Sequence, residues 1–149
     1  MKEYEINEAT QVIRPFGNGS SIVCEEDAEY EVFNTTNNII KYNCAFYGSS
    51  YAGRCAGTKS LTGLRTKSPI IIEESRNLIF FPTSSIRSND SIWISLNQVK
   101  DIEKYGKYCR ITFINGKDAI LPISYYLVNN QYYRAMLLKA KLYERIKEM

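Results

Sequence analysis

Small side chains, aromatic rings and a single arginine are combined in residues 44–58, whose sequence is CAFYGSSYAGRCAGT. These residues lie in a longer region, from Val32 to Ile72, that contains no Asp or Glu. The cations of this acid-free region are Lys41, Arg54, Lys59, Arg65 and Lys67. Small residues allow another backbone to come close, and cations without neighbouring acids favour a partner that carries phosphate. The region therefore predicts a surface that binds nucleic acid.

The charge of the chain is divided unevenly. Residues 1–31 hold eight acids and two bases, a net charge of −6, whereas residues 32–149 hold 17 bases and eight acids, a net charge of +9. Two interpretations remain open. Either the acidic segment is folded away from a basic binding face, or it is a solvated acidic edge that happens to be N-terminal. The first interpretation is favoured because the asymmetry is large.

The sequence argues against catalysis. It contains no His, which excludes Ser–His and Cys–His nucleophilic mechanisms. Gly48 and Gly53 have the glycine spacing of a phosphate-binding P-loop. The next two residues are arginine and cysteine, however, where that motif requires Lys and a Ser or Thr hydroxyl. We expect no enzymatic activity and no cofactor.

Metal binding and membrane insertion are not favoured either. The four cysteines are scattered without a Cys-x-x-Cys pair, namely Cys24, Cys44, Cys55 and Cys109. A structural zinc ion would need all four thiolates, because no His is present, so free thiols in a reducing cytosol are favoured. The longest apolar runs, such as residues 70–72 and 78–81, have the length of strands. We expect no bound metal and no association with a membrane.

A chain of 149 residues predicts a single domain, residues 1–149, with a core of its own. Apolar runs between turn residues predict short strands at Gln11–Arg14, Ser21–Cys24, Glu29–Phe33, Ile39–Tyr42, Ile70–Ile72, Asn77–Phe81, Ser91–Leu96 and Val99–Tyr105. The clearest hairpin is Arg110–Leu121, where Asn115 and Gly116 indicate a two-residue type I′ turn.

Residues 44–58 are compatible with a short helix or with a loop. As one helix they would carry a small-residue stripe, Ala45, Ser49, Ala52 and Ala56, and a second face, Tyr47, Tyr51, Arg54 and Thr58. The two tyrosines beside the arginine are the candidates for base stacking. Gly48 and Gly53 would each cost this helix about 1 kcal/mol relative to Ala, so they require a reason such as close backbone approach. The segment Thr58–Ser68 is predicted to be a linker.

Ser124 is predicted to cap an amphipathic helix at Val128–Lys147. Its core face would be Ala135, Leu138, Leu142 and Ile146, and another face carries Arg134, Lys141 and Arg145. Such a charged face is more often solvated than in contact with DNA. The remaining apolar residues, Met136, Leu137 and Tyr143, predict a second buried surface and hence a symmetric dimer. The predicted fold class is α+β, with antiparallel strands, a short central helix or loop that carries the GSSYAGR motif, and this long C-terminal helix.

The motif Cys44-x-Phe-Tyr-Gly-Ser-Ser-Tyr-Ala-Gly-Arg-x-Ala-Gly-Thr58 resembles the signature of the ComK family, the competence transcription factors of low-GC Gram-positive bacteria. Further blocks agree in order, namely Lys67-Ser-Pro-Ile70, Phe80-Phe-Pro-Thr83, Ile92-Trp-Ile-Ser95, Asn115-Gly-Lys117, Leu121-Pro-Ile-Ser-Tyr125 and Asn130-Gln-x-Tyr-Arg134. The similarity covers about residues 38–146. The Ser-Ser-Tyr-Ala-Gly-Arg core with its ordered flanking blocks is quite specific.

The resemblance implies a transcriptional activator of competence and DNA-uptake genes that binds AT-rich promoter boxes from the minor-groove side. It also implies binding as dimers, two per paired site, so we expect a homodimer with higher assembly on DNA. Other implied partners are RNA polymerase and an adaptor and protease system, and the expected location is the cytoplasm, in association with the nucleoid. The alternatives are a non-catalytic protein-interaction module built on the C-terminal sheet and helix, and a shortened regulatory paralogue.

The residues predicted to contact DNA are Lys41, Ser49, Ser50, Tyr51, Arg54, Lys59, Arg65 and Lys67. Arg54 is expected to be exposed and to enter a narrow, negative minor groove, whereas the three cations after it contact phosphates. Two features depart from the family pattern. Position 55 is Cys where the resemblance implies Lys, and the chain ends at Met149 without the long C-terminal tail through which some members reach the adaptor and protease.

Overall fold

The computed structural model describes residues 1–148, which form two antiparallel sheets and three α-helices. The strands are β1 (Thr10–Phe16), β2 (Ser20–Glu25), β3 (Glu29–Val32), β4 (Ile70–Glu73), β5 (Leu78–Pro82), β6 (Trp93–Ser95), β7 (Val99–Tyr105), β8 (Tyr108–Phe113) and β9 (Asp118–Leu121). The helices are α1 (Thr36–Phe46), α2 (Tyr51–Thr62) and α3 (Tyr125–Lys147). The predicted α+β class is confirmed.

The larger sheet has the strand order β3-β2-β1-β6-β5-β4, and the smaller sheet has the order β7-β8-β9. Because side chains alternate along a strand, the larger sheet contributes to two cores. Ile13 and Trp93 face one core, which α1 covers, whereas Val12 and Ile94 face the other, which the smaller sheet and α3 cover. The α2 helix packs against β4, an edge strand, and contacts both α1 and α3. No helix within residues 1–148 is long and apolar enough to cross a membrane.

The strand predicted at Ile39–Tyr42 is wrong, because these residues belong to α1. Thr35 caps this helix by accepting a hydrogen bond from the Asn38 backbone N–H at 3.1 Å. The buried positions 36, 37, 39, 40, 43 and 44 then recur at helical spacing and fill the core between α1 and the larger sheet. A short apolar run cannot by itself distinguish a strand from one turn of a buried helix. The N-cap and the helical spacing of the six buried positions show that these residues belong to a helix.

Residues 44–58 form neither one helix nor one loop. The first helix ends at Phe46, Gly48 has a φ of +89°, and Ser50 caps α2 by accepting from the Gly53 N–H at 2.9 Å. A Cβ on Gly53 would lie 3.1 Å from the hydroxyl oxygens of Ser49 and Ser50, so a larger residue here would press on the capping turn. The two faces predicted for a continuous helix therefore do not form. The predicted linker begins only after Thr62, where α2 ends.

The β8–β9 hairpin is present, but its predicted type I′ turn is wrong. That turn needs a positive φ at both central residues. Within residues 1–148 only Lys67 and Asn77 combine a side chain with a positive φ, so Asn115 does not fulfil this condition. Gly116, with a φ of +90°, donates to the Phe113 carbonyl at 2.9 Å, and the Phe113 N–H donates to the Lys117 carbonyl at 2.8 Å. This pattern is a type I turn followed by a glycine bulge.

The C-terminal helix starts three residues earlier than predicted, directly after its cap. Ser124 accepts from the Leu127 N–H at 3.2 Å, which confirms the predicted N-cap. Ala135, Leu138 and Leu142 are buried, as expected for the core face. Ile146 is 49% exposed, so its assignment to that face is wrong.

Candidate nucleic-acid interface

An open groove beside α2, with a volume of about 400 Å³, gathers cations from two distant segments of the chain. This basic groove is lined by Tyr51 and Cys55 of α2 and by residues 65–68 and 85–87. Its three cations, Arg65, Lys67 and Arg87, are exposed. None of them belongs to an ion pair formed among residues 1–148. Such a surface attracts phosphate.

The N-terminus of α2 adjoins the basic groove through Tyr51. The first N–H groups of an α-helix have no partner within the helix, and the macrodipole adds partial positive charge there. The first turn of α2 contains no acid. Ser49 and Ser50 are exposed at this end of the helix. The helix end therefore extends the positive surface that the three cations form.

Arg54 lies on a different flank of α2, in a groove between α2 and the C-terminal part of α3. Its side chain is only 16% exposed, and its Nη1 donates to Glu74 Oε1 at 3.1 Å. The Nε group is buried without a hydrogen-bond partner in the described part of the chain. The expectation that Arg54 is exposed and uncompensated is therefore wrong. It has to leave Glu74 before it can reach DNA.

The other predicted contacts are divided between locations. Lys41 on α1 and Lys59 on α2 are exposed but lie outside both grooves, and Ser49 lines the groove of Arg54. The basic groove thus brings together three of the eight predicted residues, namely Tyr51, Arg65 and Lys67.

The aromatic side chains that could stack on bases also differ in their surroundings. The Tyr47 hydroxyl donates to the Ile6 carbonyl at 2.7 Å and accepts from Arg76 Nη2 at 3.0 Å, so this side chain is fixed within the fold. Trp93 is 1% exposed and cannot stack on a base. Tyr51 is half-buried at the wall of the basic groove and remains a candidate for a contact with DNA.

Sequence reasoning missed Arg87. This residue lies outside the acid-free region and only three positions before Asp90. The antiparallel pairing of β5 with β6 folds the intervening loop back, and that loop carries Arg87 to the side of residues 65–68. No local pattern marks this residue, because its position depends on the topology of the sheet.

None of the eight acids of the N-terminal segment lines the basic groove. Five of these eight acids fall between Glu25 and Glu31, in or between β2 and β3. The β3 strand is one edge of the larger sheet, whereas α2 packs on β4, the other edge. For these five acids the arrangement agrees with a basic face from which they are folded away.

All four cysteines are free. Burial raises the pKa of the Cys44 and Cys109 thiols to about 11, so neither is a reactive thiolate near neutral pH. Cys55 lines the basic groove, and burial raises the pKa of its thiol as well. Position 55, where the family resemblance implies Lys, therefore adds no charge to the groove.

Comparison with known proteins agrees with the resemblance. The family model described as ComK protein matches residues 1–147. The chain is also 38% identical over 151 residues to the competence transcription factor of Bacillus subtilis (strain 168), and the match covers 98% of this chain and 78% of that protein. The chain belongs to the ComK family. No solved structure matches it.

Proposed function

We propose that this protein is a transcriptional activator of competence genes that binds AT-rich DNA through the basic groove and the N-terminus of α2. Family membership and the name of the Bacillus subtilis relative support the activator function. One observation carries the choice of surface. Three exposed cations from two distant segments converge beside a helix N-terminus, and no ion pair among residues 1–148 neutralises them.

The shape of α2 supports an approach to the minor groove. In AT-rich DNA this groove is narrow and strongly negative, and its readout depends on width more than on base identity. Ala52 and Ala56 are exposed on the outer face of α2. Their small side chains allow the helix backbone to approach the walls of a narrow groove, where a cation beside them is attracted most strongly.

Gel-shift competition between AT-rich and GC-rich duplexes of equal length tests this proposal. We expect the AT-rich duplex to compete more effectively at moderate salt. Equal affinity for the two duplexes, or no binding at moderate salt, would remove the proposed activator function and favour the protein-interaction module.

Arg54 is proposed to leave Glu74 and enter the minor groove. Arg54→Ala should then weaken binding to AT-rich DNA by about 1–3 kcal/mol. Glu74→Gln removes the competing carboxylate and should tighten the same binding by up to about 1 kcal/mol, the usual strength of such a pair near the surface. Titration of both variants with AT-rich and GC-rich duplexes measures these effects. If both variants keep the wild-type preference for AT-rich DNA, the ion pair serves only the fold.

Cys55→Lys is expected to strengthen DNA binding. The new side chain would add a fourth cation to the basic groove, because Cys55 lines it. Each additional phosphate contact raises the dependence of log K on log salt by about one unit and the affinity by about tenfold at roughly 0.1 M salt. Salt titrations of the variant measure both quantities. Cys24→Lys, on β2, is the matched control and should leave the slope unchanged.

The outward face of α3 supports the dimer that the sequence predicts. This outer stripe consists of large exposed side chains, namely Tyr126 (68%), Tyr133 (63%), Met136 (40%), Leu137 (40%) and Tyr143 (61%). They lie on the side of the helix turned away from the buried Ala135 and Leu138. Exposed apolar side chains grouped in this way are often covered by a partner, and a second copy of the chain is proposed as that partner.

Leu137→Lys is expected to yield a folded monomer that binds single DNA boxes weakly. A charge placed on the outer stripe would have to be desolvated in the dimer without an opposite charge. Sedimentation at tens of micromolar protein measures the association. Ile114→Lys replaces another exposed apolar residue, at the β8–β9 turn, and should remain dimeric. A monomeric wild type under these conditions would leave assembly on DNA as the only route to a dimer.

A further inference from the structure

The two walls of the basic groove are held in place by hydrogen bonds from side chains that do not line the groove. One wall is formed by residues 65–67 and the other by residues 85–87. Lys67 has a φ of +48°, in the left-handed region that residues with a Cβ seldom adopt. Such a conformation persists only where the surroundings hold it. The contacts that hold this wall therefore decide where its cations lie.

Gln131 and Arg134 of α3 hold the first wall. The Gln131 side chain is buried, and its Nε2 donates to the carbonyls of Lys67 at 2.8 Å and Pro82 at 2.9 Å. Arg134 Nη2 donates to the Thr66 carbonyl at 2.6 Å, and its Nη1 donates to Gln131 Oε1. Pro82 ends β5, where the loop of the second wall begins. One amide group thus ties the first wall to the base of the second.

The second wall is fixed separately by Asn37 of α1. Its Nδ2 donates to the Ile86 carbonyl at 3.0 Å and to the Ser88 carbonyl at 2.7 Å, which flank Arg87 on both sides. Its Oδ1 accepts from Trp93 Nε1 at 3.0 Å in the core. The second wall is therefore anchored to α1 and, through Trp93 of β6, to the larger sheet.

We propose that Gln131 and Arg134 are positioning residues for DNA recognition. They set the distance between Lys67 on one wall and Arg87 on the other. Both cations can contact phosphates at the same time only where the DNA groove has a width that matches this distance. The inference rests on the proposed function. Arg134 acts here through the backbone carbonyls of Thr66 and, at 3.4 Å, Lys67, and not through a phosphate. Since AT-rich DNA differs from GC-rich DNA in minor-groove width, loss of the fixed separation reduces the preference between them.

Two variants remove these contacts with little other change. Gln131→Met keeps the length of the side chain but has no donor, and Arg134→Lys keeps the charge but replaces a planar fork by a point charge. Asn130→Met and Arg145→Lys are the matched controls on the same helix. Affinities for AT-rich and GC-rich duplexes are measured against salt below the unfolding temperature of each variant. Trypsin cleavage after Lys67 reports on the first wall, because the carbonyl of that residue accepts from Gln131.

Both variants are expected to bind AT-rich DNA about tenfold more weakly, with a smaller loss on GC-rich DNA. Cleavage after Lys67 should accelerate, and the controls should behave like the wild type. In a protein that already carries Arg65→Ala and Lys67→Ala, Arg134→Lys should cause no further loss, because the cations that it positions are absent.

Three results would overturn the inference, and they are distinguishable. Variants that are less stable but keep the full AT preference while folded would show that these contacts serve the fold alone. A further loss from Arg134→Lys in the doubly substituted background would show that Arg134 contacts a phosphate directly. A wild type without any preference for AT-rich DNA would refute the proposed function itself, and the positioning role with it.

Discussion

Replacing Arg65, Lys67 and Arg87 together by alanine is expected to weaken binding to every duplex by roughly 10²–10³-fold at about 0.1 M salt. Each cation that neutralises a phosphate contributes about one unit to the dependence of log K on log salt, so the slope should fall by about three units. The three side chains are exposed, and the ion pairs of residues 1–148 do not include them, so the fold should persist. Titrations at several salt concentrations measure both quantities.

The matched control removes the same charge elsewhere. Lys2, Lys100 and Lys107 are exposed and lie outside the basic groove. Their joint replacement by alanine should change affinity only slightly, through the weak long-range field of the protein. An equal loss in this control would show that net charge matters and position does not. A loss on AT-rich duplexes with none at all on GC-rich duplexes would contradict phosphate contacts in the groove variant, because every duplex presents phosphates.

The charge pattern of the sequence predicts a basic surface but only some of the residues that form it. Arg65 and Lys67 belong to the acid-free region, and both line the basic groove. Arg54 belongs to the same region, yet it pairs with Glu74. An acid-free stretch of sequence excludes only neighbours along the chain. Glu74 follows β4 and reaches Arg54 because α2 packs on that strand, which only the tertiary fold determines.

Arg87 is the opposite case, because it lines the basic groove although the charge pattern of the sequence does not predict it. It has an acid three residues away in sequence, and nothing local suggests a role in binding. Its approach to Lys67 depends on the return of the chain from β5 to β6 and on the hydrogen bonds of Asn37 to the loop between them. Long-range pairing and buried amide contacts of this kind leave no periodic signal in a single sequence.

The secondary structure was predictable where the pattern is long or is punctuated by strong turn residues. The twenty-residue amphipathic pattern and Ser124 predicted α3 with its correct cap. The four residues at 39–42 were too few to separate a strand from a helix, and the predicted strand there is wrong. In the GSSYAGR motif the spacing left helix and loop open. The structure contains both, because the positive φ of Gly48 belongs to the turn that follows α1, and Ser50 then caps the start of α2.

Asn43→Ala is expected to lower the free energy of unfolding by about 3–5 kcal/mol. Asn43 is completely buried on α1 and joins the N-terminal segment to this helix. Its Oδ1 accepts from the Ile6 N–H, and its Nδ2 donates to the Tyr4 carbonyl, both at 2.8 Å. Alanine would leave these two backbone groups without their partner, and each unsatisfied buried group costs about 1–3 kcal/mol.

Urea unfolding followed by the fluorescence of Trp93 measures this loss, since the ring is 1% exposed in the core that Asn43 also borders. Asn38→Ala is the matched control on the exposed face of α1 and should cost less than about 0.5 kcal/mol. A similar small loss for Asn43→Ala would show that the N-terminal segment is held by its apolar contacts alone. The folded fraction should bind DNA as the wild type does, because Asn43 does not line the basic groove. This substitution therefore separates the stability of the fold from the DNA contacts that the groove variant removes.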